Sequence, residues 1–226
     1  MSLAVTTGYL MTACREHAGM ENSTFITDAE LVRLINASVR RFFTLLVSAR
    51  GQGYFQATTS FSLQNGISIY PLEVDFFQLL TVSAVIGSET VTMHPYMEEE
   101  RNAYLQTPYV WGPGVPMYYR LQGGNISFIP TPTGAASIIL KYIPVPAPLS
   151  ASMPNQTIDG IAGWDDFVVW DVVSAMLAKE ESDNSFAISQ REMIRADIMG
   201  LAAERDAGQP ERVQDVIANS YGPWRF

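Results

Sequence analysis

The chain has one cysteine, Cys14, and two histidines, His17 and His94, in 226 residues. A single cysteine excludes an internal disulfide framework and a zinc site built on thiolates. Two imidazoles leave little for metal ligation or general base catalysis. Basic residues are scarce as well. Fourteen Lys and Arg against 23 Asp and Glu leave a net charge of −9, the wrong sign for a general grip on nucleic-acid phosphates. No run of about 18 apolar residues occurs; the best candidate, 161–178, is interrupted by Asp165, Asp166 and Asp171. The first residues lack a basic stretch followed by an apolar one, so no signal peptide and a reducing, aqueous compartment are expected. The patterns GxxxxGK[ST], GxSxG and HExxH are missing, and with them a phosphate loop, a serine nucleophile elbow and a zinc-binding helix.

What is present is apolar. Hydrophobic residues make up 47% and charged residues only 16%, which argues against disorder and for more sticky surface than a lone monomer needs. A globule of this size buries about 70–75% of its unfolded surface, enough for a core without staples.

The pattern divides the chain into helical, β-rich and again helical zones. Leu10, Ala13, Cys14 and His17 recur at helical spacing, with Gly19 as a stop. Thr27 and Glu30 have the spacing of a capping box, and Ile26 and Leu31 that of a hydrophobic staple. The helix they open carries the stripe Leu31, Leu34, Ile35, Val39, Phe42 and Leu46, with Arg33, Arg40 and Arg41 off it. From Tyr54 to about Leu149 short alternating runs are separated by turn residues. Asn65-Gly66 predicts a type I′ hairpin between Phe55–Leu63 and Ile67–Tyr70, and Gly123-Gly124 a second one. Further strands are expected over 79–86 and 137–143, and a short helix over 97–105. Pro144, Pro146 and Pro148 then force an extended exit. In 161–179 the polar positions Asp166, Asp171 and Ser174 form a narrow strip, so that helix reads as buried on most sides. A last helix carries Ile194, Ile198 and Leu201, and Gly200 in it suggests close helix packing.

The fold class expected is therefore α+β: a helical bundle from the N- and C-terminal segments, helices over about 3–18, 28–49, 161–180 and 186–206, with an inserted antiparallel β domain, a small sandwich or barrel. The expected division is 1–52 and 158–208 for the bundle platform, 53–157 for the β-rich insert and 209–226 for a tail.

Few residues suggest chemistry. Cys14 and His17 lie three apart and would make a nucleophilic pair if they touched, but both continue an apolar stripe, which favours packing. His94 with Glu98 would suit a metal only in a helix that Pro95 opposes. Asp171, in a buried helix, is expected to have an arginine partner rather than a catalytic role. No catalytic residue, metal or cofactor is expected. Tyr109, Trp111, Tyr118 and Tyr119 crowd a segment rich in Pro and Gly and are candidate interface aromatics. The tail holds Val213, Val216 and Ile217 at helical spacing, then Tyr221, Trp224, Arg225 and Phe226. Tyr, Trp and Arg are the types enriched at interface hot spots.

Taken in order, several segments resemble the head-to-tail adaptor proteins of tailed bacteriophages, especially the tail-tubular-protein-A-like adaptors. They are TDAELVRLIN at 27–36, YPLEVDFF at 70–77, YYRL at 118–121, ISFIPTP at 126–132, KYIPVP at 141–146 and the helical hairpin at 164–205. The resemblance implies a virion structural protein of the neck, assembled in the host cytoplasm, without enzymatic activity or membrane contact. It implies a homo-oligomeric ring, twelvefold in the family, beneath the portal protein and above tail or nozzle proteins, with DNA passing through its lumen. It further implies that the C-terminal segment reaches the portal. The alternative reading is a non-enzymatic β-sandwich binding or assembly module of a tail or cell-surface complex. A third is an enzyme with a carboxylate site.

Overall fold

A β-strand, β1 (Val5–Thr6), opens directly into helix α1 (Thr7–Ala18). The Thr6 side chain caps that helix by accepting from the Tyr9 N–H at 3.1 Å. The expected helix thus starts later than residue 3, because Thr6 is extended and pairs as a strand. Gly19 ends α1 at φ 66°, with Gly19 N–H on Glu16 O and Met20 N–H on Arg15 O. That double bond is the Schellman closure, which needs a left-handed residue. Helix α2 (Asp28–Arg50) begins at Thr27, whose hydroxyl accepts from Glu30 N–H at 3.3 Å. The staple residues Ile26 and Leu31 are fully buried. The Glu30 carboxylate completes an ion pair with Lys179 at 2.6 Å rather than turning back onto the cap.

The structure, a computed structural model, describes residues 5–50, 55–105, 115–116, 118–134, 136–158 and 163–201. After α2 come β2 (Ala57–Ser62), β3 (Ile69–Pro71), β4 (Phe76–Ile86), β5 (Glu89–Thr92) and β6 (His94–Pro95). A 3-10 turn, Glu98–Glu100, leads into α3 (Arg101–Leu105). Strands β7 (Tyr118–Gln122), β8 (Asn125–Ile129), β9 (Ser137–Pro144) and β10 (Thr157–Ile158) follow, then α4 (Asp166–Lys179) and α5 (Ser185–Leu201). The fold is α+β.

The strands form two four-stranded sheets, ordered β2-β9-β4-β5 and β3-β8-β7-β6, and a two-stranded ribbon of β1 with β10. Neither four-stranded sheet closes on itself, so of the two expected forms the sandwich is present and the barrel is not. All pairings are antiparallel except the two-residue contact of β6 with β7. The hairpin through Gly123-Gly124 forms as expected, joining β7 to β8 with Gln122 opposite Asn125.

The Asn65-Gly66 turn does something else. Ile67 N–H bonds Gln64 O and Gly66 has φ 80°, while Asn65 keeps a negative φ. The turn is therefore not type I′, and β2 and β3 do not pair. It carries the chain from one sheet to the other, β2 onto β9 and β3 onto β8.

Two hydrophobic clusters result. One gathers residues of α1, α2, α4 and α5, among them Leu10, Leu31, Ile35, Val172, Met176 and Ile198. The other lies between the sheets, with Val82, Ile138 and Leu140 from one and Ile126 and Phe128 from the other. Phe43 of α2 joins that helix to the start of the strand region, its ring 5.0 Å from Phe55 and 5.4 Å from Phe77 of β4. The proline-rich exit after β9 is tied to α2 by Asn36, whose amide donates to Leu149 O at 2.9 Å and accepts from Leu149 N–H at 2.8 Å. Gln156 holds the same loop through Pro148 O and Ser150 N–H. Side-chain amides take over the hydrogen bonds that prolines cannot donate. At the ribbon, Gly8 N–H donates to Pro154 O, and a Cβ there would lie 3.3 Å from that oxygen.

Helix α4 starts at Asp166, after a turn at 163–165, and α5 starts at Ser185, close to the expected bounds. The expected end of α5 near residue 206 lies outside the described residues. Gly200 corrects the expectation of close packing: among the described residues a Cβ there meets nothing within 4 Å. The two helix-end glycines should respond oppositely to alanine. Gly19→Ala should cost about 1 kcal/mol, because alanine must enter left-handed backbone. Gly200→Ala should stabilise by about 0.5–1 kcal/mol by improving helix propensity. Chemical denaturation of the two variants against the parent chain checks both signs.

Candidate functional site: charged and aromatic surfaces

Helix α4 is apolar nearly all round, and Phe167, Val168, Val169, Val172, Val173 and Met176 are all buried. Its one charge in the interior, Asp171, is 3% exposed and held by two arginines. Arg41 Nη1 of α2 lies 2.8 Å from Oδ2, and Arg191 Nη1 of α5 lies 3.1 Å from Oδ1. Arg191 also grips Glu192 at 2.8 Å. The expected arginine partnership of Asp171 is therefore realised within the chain. With each oxygen bound to a guanidinium group, one from α2 and one from α5, this buried carboxylate of α4 pins three helices together.

The other candidate chemistry separates. Cys14 is buried with Sγ 4.0 Å from Val169 O, and burial pushes its thiol up to about 12. His17 points elsewhere, exposed, with its ring 4.6 Å from Trp170. The two do not form a pair. His94 stands on β6, not on a helix, and Glu98 is bound to Arg120 at 2.9 Å. Among the described residues no group of three or more His, Cys, Asp or Glu is placed to hold a metal ion. No helix among them is long and apolar enough to cross a membrane.

A cleft of about 310 Å³ opens where α2 meets the sheet edge, walled by Phe42, Phe43, Phe55, Pro144 and Pro146. Its one ionisable group, Asp75, accepts from Tyr142 O–H at 2.9 Å. Beside the carboxylate, the described lining offers one hydroxyl, that of Thr157, among otherwise apolar side chains.

Of the candidate interface aromatics, Tyr118 and Tyr119 are half-buried on β7. Tyr118 lies 4.3 Å from the ring of Tyr104, which is itself 6.2 Å from Tyr96 and bonds Glu100 through its hydroxyl at 2.7 Å. Tyr119 packs against the sandwich core. Tyr109 and Trp111 lie outside the described residues, as do Val213, Val216, Ile217, Tyr221, Trp224, Arg225 and Phe226. Sequence reasoning missed a different aromatic row, His17–Trp170–Phe186, which joins α1, α4 and α5. Its only sequence signal is Trp170 at the rim of an apolar helix.

Fold and surfaces together define a chain whose ionic groups serve helix packing and whose exposed features are aromatic and charged patches. The chain belongs to the SU10 adaptor protein family, whose model matches residues 6–214. The family agrees with the resemblance to phage head-to-tail adaptors and gives the chain a structural adaptor role. Among curated proteins no match to the chain is found.

Removing both arginines from Asp171 should cost more than removing the carboxylate. The Arg41→Ala/Arg191→Ala chain strands a buried charge, at about 3–5 kcal/mol. Asp171→Asn should cost only about 1–2 kcal/mol, because the Arg41 side chain is already 64% exposed and reaches water. Equal costs in urea titrations would contradict this. A thiol with its acidity displaced to about 12 is also chemically quiet. Cys14 should react with a disulfide reagent at pH 8 orders of magnitude more slowly in the folded than in the urea-unfolded chain, since only the thiolate attacks.

Proposed function

We propose that this chain is a neck protein of a tailed-phage virion: a ring, twelvefold as in the resembled family, that sits beneath the portal and joins the capsid to tail or nozzle proteins. DNA passes through its lumen, and no reaction is catalysed. Assembly takes place in the host cytoplasm. The observation that carries this reading is the family match over residues 6–214. Two physical features support it. A net charge of −9 suits a conduit that must release DNA rather than hold it. The apolar composition and low share of charge suit a protein completed by assembly.

In this reading the segments 1–52 and 158–208 serve as the platform and 53–157 projects from it. The aromatics at 109, 111, 118 and 119 meet the neighbouring tail component. The tail, 209–226, is the portal-docking element. Its last 12 residues lie beyond the stretch matched by the family. Tyr221, Trp224, Arg225 and Phe226 fall there, which fits an element adapted to one particular partner.

Truncation after Gly208 tests this. Thermal unfolding of the shortened chain should match the parent within experimental scatter, while co-sedimentation with portal rings should be lost. Retained co-sedimentation, or a large loss of stability, would show that the tail is not the docking element.

A further inference from the structure

Helices α1, α2 and α5 all pack on α4, and α2 also packs on α1 and on α5, whereas α1 and α5 barely meet. Helix α2 therefore lies across α4 from a gap between α1 and α5. Trp170 of α4 floors that gap, half-buried, with the His17 ring on one side and the Phe186 ring 5.5 Å away on the other. Phe186 is 65% exposed and Tyr9, at the same face, 51%. These are large apolar surfaces left in water.

The gap is acidic. Glu16, Asp165 and Asp166 surround Tyr9, whose hydroxyl is held above its ordinary value by burial and by these three carboxylates. Asp166 is likewise raised, by desolvation and then by Asp165, with His17 acting against both. Among the described residues no lysine or arginine forms an ion pair with any of the three.

The opposite side of the bundle has the reverse character. Arg33 and Arg40 are seven residues apart on α2, hence on one face, with Ala37 between them. Both are exposed, and neither has an ion-pair partner among the described residues. Arg41 beside them reaches Asp171 with most of its side chain in water.

We propose that the gap between α1 and α5 receives the outer face of α2 from a second copy of this chain, Arg33 and Arg40 meeting the exposed carboxylates of Glu16 and Asp166 around Trp170 and Phe186. The inference rests on the ring reading and names its subunit contact. Two complementary faces on opposite sides of one bundle make a head-to-tail contact, which repeats and closes into a ring when the rotation allows. A face-to-same-face dimer would set carboxylate against carboxylate or arginine against arginine. The aromatic floor supplies apolar area, and the charges fix orientation and exclude wrong pairings.

The test uses the full chain in two variants, Glu16→Lys/Asp166→Lys and Arg33→Glu/Arg40→Glu, followed by sedimentation velocity over a concentration series at low salt. The parent chain should assemble, and added salt should weaken the assembly. Each variant alone presents like charges on both faces, so the concentration for half assembly should rise at least about 100-fold. A one-to-one mixture should assemble again, because the altered gap of one variant complements the altered α2 face of the other while their two native faces complement each other, and only even-numbered rings should form. Recovery in the mixture also shows that both variants are folded. A parent chain that assembles while the separate variants assemble equally well would overturn the contact and leave the ring. Parent and mixture both remaining monomeric at every concentration would overturn self-assembly and the contact with it.

Discussion

Helix α4 sets the constraint on which the rest depends. It is too apolar to face water on any broad side, so it must be enclosed, and its one interior charge must be neutralised. Enclosure comes from both ends of the chain: α1 and α2 precede the strands, and α5 follows. Strands β2 to β10 leave that bundle after α2 and return to it before α4. The return is fastened where it must be, by Asn36 on the exit loop and by the β1–β10 ribbon. The fold has a sandwich with its own core and a separate helical core, and Phe43 of α2 packs on Phe55 and on Phe77 of β4.

The same constraint shapes the surface. Arginines spent on Asp171 pin α2 and α5 to α4, and Arg15 is spent on carbonyls of the turn before α2 and on Asp28. Among the described residues, Arg33 and Arg40 are cations of the bundle without an ion-pair partner, and they stand on the far face from its acidic side. A charge separation of this kind costs a monomer stability and favours association. It also fits an adaptor, whose partners are proteins rather than small molecules.

Elements whose signals are local were legible from the sequence. Thr27 and Glu30 marked the start of α2, Gly19 closed α1, and the helical hairpin followed from its apolar period. The arginine partner of Asp171 was legible as a chemical type, since a buried carboxylate demands one, but not as Arg41 and Arg191, which lie 130 and 20 residues away. Asn65-Gly66 misled because the dipeptide suits more than one turn type: only Gly66 takes a positive φ, and the turn leads from one sheet to the other instead of pairing β2 with β3. Gly200 misled because glycine permits close approach without requiring it. The Asn36 clamp had no sequence signature and the Trp170 row only the position of Trp170 at the rim of an apolar helix, since both depend on what tertiary packing brings opposite them. In the candidate site, then, residue types were legible and their spatial partners were not.

The central claim is that the chain functions as a closed ring under a portal. Electron microscopy of the full chain incubated with portal rings examines it most directly. The account predicts a second ring seated coaxially on one end of the portal, with an open lumen wide enough for duplex DNA. Portal rings that stay bare, or that bind the chain as scattered single copies without a closed ring, would contradict it.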